Sequence, residues 1–372
     1  MRKKTIILGI LSLWLVSSVL FPAGSAKKDS DLQIAICYPS IASIKSLEAL
    51  IEEGFLPKTG LKVLGVYHYK ETSNYKRSER YKKNKRLKWL TFHKVTAELD
   101  IEKLFGKNDC TSEFKKIFEN TKGIIFFGGA DIPPYLYNKP VNLLTQIQTP
   151  YRHFFELSFV FHLLGGKQNE DFKSFLEDRP DYPVLGICLG CQSLNVGTGG
   201  TLVQDIWMEI YKKTTLEEVI DLGRNNWHTN PYARIYPEKG LFPYNLHPIT
   251  FKNQSIFCTG LGFTENDQPY ILSSHHQAVG ELGRGIVAAA FTLDGKVIEA
   301  VEHERFPHVL GTQFHPEFPL LYDEEKKIKM IPGEEIEFTP RTFLEKNKPS
   351  FSFHKALWKW FIQKVEACPD IK

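Results

Sequence analysis

The run Pro183-Val184-Leu185-Gly186-Ile187-Cys188-Leu189-Gly190 constrains this chain more than any other segment. A short apolar stretch reaches a cysteine set between glycines, and helix-like Cys191-Gln192-Ser193-Leu194-Asn195-Val196 follows at once. A strand turning that sharply into a helix leaves its corner residue exposed above the sheet edge. Glycine tolerates the backbone angles such a turn imposes on its neighbours. A thiol at the corner faces the positive end of the helix dipole, which favours its nucleophilic form. Cys188 is therefore the candidate nucleophile.

A nucleophile needs a base, and the base needs a group that orients it. Gly311-Thr312-Gln313-Phe314-His315-Pro316-Glu317 offers both. In extended chain, residues two apart point to the same side. Glu317 can then hold one nitrogen of His315 while the other faces Cys188. Acyl transfer also requires backbone donors for the developing oxyanion. The N–H of Leu189, directly after the nucleophile, is one candidate. The second is expected at Gly128-Gly129, where the apolar strand Gly123–Phe127 ends.

These residues resemble the class I glutamine amidotransferase superfamily, and within it the γ-glutamyl hydrolase branch, peptidase family C26, which includes the γ-glutamyl-γ-aminobutyrate hydrolases. The resemblance runs from about residue 32 to about residue 322 and rests on segments in order. They are Gly128-Gly129-Ala130-Asp131-Ile132-Pro133, Arg152-His153-Phe154-Phe155-Glu156-Leu157, Gly186-Ile187-Cys188-Leu189-Gly190-Cys191-Gln192, Gly199-Gly200-Thr201-Leu202, Ser273-Ser274-His275-His276-Gln277-Ala278-Val279 and Gly311–Glu317. The resemblance implies an α/β fold with a mostly parallel, flavodoxin-like central sheet and helices on both faces. It implies Cys188 as nucleophile, His315 as general base, Glu317 as its orienting acid, and Gly129 and Leu189 as oxyanion donors. It implies substrate contact for His275, with His276 beside it. Many bacterial relatives carry Arg where this chain has Leu189, and Asn where it has Leu272. Both differences bear on the substrate rather than the chemistry.

The implied activity is cysteine-dependent hydrolysis of γ-glutamyl amide bonds through a thioester on Cys188, with a small γ-glutamyl substrate and no cofactor. Two rival readings stand beside it. One is a glutaminase subunit passing ammonia to a synthetase partner; the other is a non-catalytic γ-glutamyl-binding protein. A metal site is not expected, because zinc needs three or four ligands. The adjacent His275 and His276 point apart in a strand and supply one ligand per face. Arg152 and Glu156, four apart on a helix, are expected to pair structurally. Cys188-Leu189-Gly190-Cys191 has redox C-x-x-C spacing, but no thioredoxin-like start precedes it. A reversible Cys188–Cys191 disulfide is left open.

Arg2, Lys3 and Lys4 precede an apolar stretch from Ile6 to Phe21 and then Pro22-Ala23-Gly24-Ser25-Ala26. That is the order of a secretory signal with cleavage after Ala26. A secreted or periplasmic protein is expected, with no stable membrane span once residues 1–26 are removed; an uncleaved anchor is the alternative. The 372 residues and 42% hydrophobic content suffice for a large core, and a net charge of +4 is too small to imply a nucleic-acid partner, so none is expected. Homo-oligomerisation is left open. The basic segment Lys76–Lys88 reads as a solvated insertion loop, with attraction to an anionic surface as its rival.

Residues 27–325 are expected to form the catalytic domain. Strands are expected at Leu32–Cys37, Leu61–Val66 and Gly123–Phe127, and helices at Ser43–Glu53, Glu113–Asn120 and Tyr151–Leu164, the last with Phe155, Phe159 and Leu163 as a core stripe. Alternation of strands and helices argues for a parallel sheet. Residues 326–372 form a C-terminal extension with a helix around Phe353 to Val365, and no catalytic signal is evident there.

Overall fold

The computed structural model describes residues 32–335 and 337–370. The expected signal segment, 1–26, lies outside the described residues. Among them, ten strands form one sheet and two more form a small separate ladder. Strands β1 (Leu32–Cys37), β2 (Leu61–His68), β3 (Leu90–Val95), β4 (Ile124–Phe126) and β5 (Val184–Ile187) all run parallel, in the order β3-β2-β1-β4-β5. β6 (Leu202–Val203) pairs away from the sheet with β9 (Ala278–Val279). The main sheet continues through β12 (Val309–Thr312), parallel to β5, and then through antiparallel β11 (Ile298–His303), β10 (Ile286–Thr292), β7 (Asn245–Phe251) and β8 (Tyr270–Ser273).

Both faces of this sheet are covered, as β1 shows. Ile34 and Ile36 point into a core layer with Ile44, Leu47 and Leu50 of α1 (Ile41–Glu52). Ala35 and Cys37 point the other way, toward Phe114 of α3 (Thr111–Glu119) and Phe155 and Phe159 of α4 (Pro150–Leu164). A strand buried on both faces reads as continuous apolar sequence, which is why β1 and β4 were legible. α4 is buried from Arg152 to Leu164. Its expected three-residue stripe is therefore too narrow: the helix is buried all round, its polar residues Arg152, Glu156, Ser158 and His162 included.

One expectation needs correction in part. The segment 76–88 is largely exposed, as expected, but it is not a loop. Tyr75–Lys85 forms helix α2, capped by the Asn74 side chain, with the connection after it leading into β3. Parallel β2 and β3 require a crossover, usually helical. Lys and Arg are good helix formers. α2 meets α1 through the Tyr81 hydroxyl, which donates to Glu48 at 2.7 Å, and its buried residues are Tyr75 and Ser78. An apolar pattern this sparse does not announce a helix, and β3 went unrecognised with it.

The helix expected in the C-terminal extension is present and packs into the core. It spans Ser350–Ala367 and places Phe353, Leu357, Trp358 and Phe361 in the same core layer as β1 and α1.

Candidate active site

The chain runs from β1 outward to β3, then crosses back to place β4 on the other side of β1. Such a switch point opens a crevice beyond the carboxyl ends of the strands, where open α/β sheets bind ligands. Here a cleft of about 240 Å³ is lined by Tyr38 and Ser40 after β1, Gly128 and Gly129 after β4, Cys188 after β5, and His315 and Glu317 after β12.

Cys188 sits at the corner between β5 and α5 (Leu189–Gly197) with φ 52° and ψ −103°. A non-glycine residue rarely holds a positive φ, and such strain gathers at functional sites. The neighbours enforce it. The Cys188 N–H donates to the Thr312 carbonyl at 2.7 Å. A Cβ on Gly190 would stand 2.1 Å from the Phe126 carbonyl oxygen, and one on Gly186 would stand 2.5 Å from that of Gly190. α5 therefore rests directly on β4 and β5, and only glycine permits that approach. As the first residue of α5, Leu189 has an N–H without an intrahelical acceptor.

His315 Nδ1 lies 2.7 Å from Glu317 Oε1. The ring and the cysteine converge on one point: a Cβ on Gly128 would be 2.9 Å from His315 Cε1 and 3.4 Å from Cys188 Cβ. Burial pushes the imidazole pKa down, but the Glu317 carboxylate and contact with Cys188 outweigh it and lift it to about 10. Phe318 stacks obliquely on the ring, centroids 4.4 Å apart. The carbonyl of Pro316, between His315 and Glu317, accepts from the Tyr322 hydroxyl and, at 3.1 Å, from the Trp358 indole. The C-terminal helix thus fixes the turn that carries both residues.

Arg152 pairs with Glu156 at 2.8 Å inside the core, the i,i+4 contact expected from their spacing. It does more than that. Its Nη2 donates to the carbonyls of Phe127 at 2.7 Å and Gly128 at 3.0 Å, and its guanidinium stacks on Tyr38 at 3.6 Å. The loop after β4 is held from behind by a planar fork of donors. A Cβ on Gly129 would meet Arg152 Nη1 at 2.0 Å and Leu189 Cδ2 at 2.9 Å, so Gly129 lies between the arginine and the start of α5.

The histidine pair behaves unlike the expectation that both meet substrate. The side chains do point apart. His275 turns inward, is 4% exposed, does not line the cleft, and faces Glu299. Its direction is set by the fold around β7, β8 and β11, which no local motif encodes. His276 faces an adjoining cavity of about 340 Å³ shared with Asp205, Arg234 and Ser274, the last of which also lines the cleft. It bonds Asp131 at 3.1 Å and Asp205 at 3.3 Å.

Burial lowers the His276 pKa, but those two bonds prevail and raise it from 6.5 to about 9. The sign for stability follows. A raised folded pKa stabilises fully below the unfolded value and loses that contribution as pH rises through the folded one. Urea midpoints followed from about pH 6 to about pH 10 are expected to fall further for the native protein than for His276→Gln. Parallel curves would show that the imidazolium contributes nothing.

Sequence reasoning missed Tyr38, Ser40 and the glutamines. Gln313 Nε2 lies 3.7 Å from Cys188 Sγ and its oxygen accepts from Gln192 at 3.3 Å. Gln192 and Gln313 stand inside the elbow and His-Pro-Glu motifs, so the signal was present but unassigned. Cys191, fully buried, packs against Gly311, and all six cysteines are free.

The peptidase C26 profile matches residues 63–317. A putative glutamine amidotransferase-like protein, YvdE, of Lactococcus lactis is 32% identical over 210 residues, 56% of this chain and 71% of that protein. A putative glutamine amidotransferase-like protein of Rickettsia prowazekii is 29% identical over 221 residues, covering 55% and 73%. Anthranilate synthase beta subunit 1 of Arabidopsis thaliana is 26% identical over 149 residues, covering 39% and 41%.

Proposed function

The chain belongs to the peptidase C26 family of glutamine amidotransferase-like hydrolases, and on that premise we propose that it cleaves γ-glutamyl amide bonds through a thioester on Cys188. The observation that carries the reading is one imidazole held by a carboxylate at 2.7 Å while it converges with a strained cysteine at the floor of a cleft. His315 takes the proton of Cys188. The sulfur attacks the side-chain carbonyl, and a C–S bond forms as the carbonyl electrons move onto oxygen. The N–H groups of Gly129 and Leu189 receive that oxyanion. As it collapses, the C–N bond breaks and the amine leaves with the proton from His315. Water then adds to the thioester, His315 takes its proton, and that proton returns to sulfur as glutamate departs.

The amino-acid head of the substrate is assigned to the adjoining cavity. Arg234 and His276 supply positive charge there for an α-carboxylate, and Asp205 supplies negative charge for an α-ammonium. Export is part of the proposal and rests on the residue order from Arg2 to Ala26. The described residues contain no helix long and apolar enough to cross a membrane.

Acid quenching during turnover of a γ-glutamyl anilide tests the mechanism. The peptide carrying Cys188 is expected to gain the mass of one γ-glutamyl acyl group and to lose it on mild alkaline treatment. An adduct on any other residue, or none in rapid-quench samples of an active preparation, would refute covalent catalysis at Cys188. A second reading, a glutaminase subunit serving a synthetase, draws on the similarity to the anthranilate synthase subunit. It requires glutamine to be hydrolysed in preference to γ-glutamyl amines, and the same assay run on both separates the two.

A further inference from the structure

Three histidines surround one glutamate inside the antiparallel half of the sheet. Glu299 lies on β11, His247 on β7, His275 just past β8, and His228 in the chain before β7. All four are at most 4% exposed. His228 Nδ1 and His247 Nε2 stand 3.4 and 3.6 Å from Glu299 Oε1, and His275 Nε2 stands 3.6 Å from Oε2. None of these contacts has hydrogen-bond geometry. Both carboxylate oxygens, both nitrogens of His228, and Nε2 of His247 and of His275 are buried without a hydrogen-bond partner. So many polar atoms are not left orphaned together in a core unless something joins them.

The outer nitrogens show what that is. His275 Nδ1 lies 2.9 Å from the Gln277 carbonyl, and His247 Nδ1 lies 3.2 Å from that of Pro248. A carbonyl only accepts, so in both rings Nδ1 carries the proton. In a neutral imidazole this turns the bare lone pair of Nε2 toward the carboxylate. Lone pairs facing an anion repel unless a proton or a metal cation lies between them. A backbone carbonyl behind the ring is also the usual support of a metal-bound histidine. The ligand atoms of His228, His247 and Glu299 all lie within 4.8 Å of one another. Neighbouring ligands around tetrahedral zinc stand roughly 3.3 Å apart, given bonds of about 2 Å. The distances to Glu299 are close to that.

We propose that His228, His247 and Glu299, with His275 as the fourth ligand, bind a divalent transition-metal cation of the zinc type. Nitrogen and carboxylate donors suit such an ion. A closed set with no opening to solvent is the form of a structural site rather than a catalytic one. The adjacent histidine pair concealed it from sequence: one histidine of the pair enters, and the other ligands come from positions 228, 247 and 299 with no motif spacing. The cation would tie β7, β8 and β11 together and hold Ser274, next to His275, in the wall of the cleft.

The test uses the described chain with Cys188→Ser, so that the elbow thiol offers no rival ligand, and without a histidine tag. Protein purified without chelator is expected to hold about one zinc per chain by elemental analysis. After chelation and removal of the chelator, Co²⁺ is expected to restore one equivalent, with the visible absorption of a tetrahedral ion. Zn²⁺ is expected to raise Tm. Glu299→Gln and His247→Gln are each expected to weaken Zn²⁺ binding by about 100-fold or more, with far-UV circular dichroism unchanged. Folded, chelator-treated protein that takes up neither ion overturns the proposal and leaves a buried ion pair in its place. So does full zinc retention in both variants. Metal content and the cobalt spectrum are read on the parent protein, so the proposal can fail even where a variant does not fold. Neither readout depends on hydrolase activity.

Discussion

Cys188→Ala is expected to lower turnover of a γ-glutamyl anilide by on the order of 10⁴-fold or more while leaving the fold intact. The size follows from the mechanism. Loss of the nucleophile removes the covalent route, whereas binding and the oxyanion donors survive and sustain only a residual rate. The fold is expected to survive because alanine removes a single sulfur atom and leaves the backbone of the corner unchanged. The backbone there is set by the bond from the Cys188 N–H to the Thr312 carbonyl and by the close approach of Gly190 to Phe126. Steady-state release of the anilide, with thermal melting as the control, gives the answer. Activity within tenfold of the native protein at unchanged Tm would remove Cys188 from the chemistry.

Glu317→Gln is expected to cost about 10²- to 10⁴-fold in kcat. The substitution keeps the shape and removes the charge. Among the causes that raise His315 to about 10, the Glu317 carboxylate ranks first, and burial opposes it. Without that charge the imidazole pKa falls toward or below its ordinary value. The alkaline limb of the rate profile, where the imidazolium loses its proton, is therefore expected to move to lower pH. A structural role alone would leave the limb in place. A variant with native kcat and an unmoved profile would show that the acid orients nothing.

How much of this was legible can be judged residue by residue. The elbow was readable because its determinants are local: an apolar run, a cysteine and glycines within a few positions. His315 and Glu317 were readable for the same reason, being two apart. β1 and β4 declared themselves through continuous apolar runs. α2 and β3 did not, because a crossover helix that buries only Tyr75 and Ser78 and reaches its neighbour through Tyr81 shows no apolar stripe beneath its lysines. The direction of His275 was beyond reach, since it depends on Glu299 arriving from a strand 24 residues later in the chain. Arg152 was half read: the pair with Glu156 follows from helical spacing, while its grip on the Phe127 and Gly128 carbonyls is a tertiary fact.

The indole of Trp358 reaches the Pro316 carbonyl from a helix more than thirty positions further along the chain. During synthesis, therefore, the turn bearing the base and its acid emerges well before the group that steadies it. A growing chain exposed only as far as Glu317 has its chemistry encoded but its geometry unset. The full set of bonds that steadies that turn is present only once Ser350–Ala367 has docked.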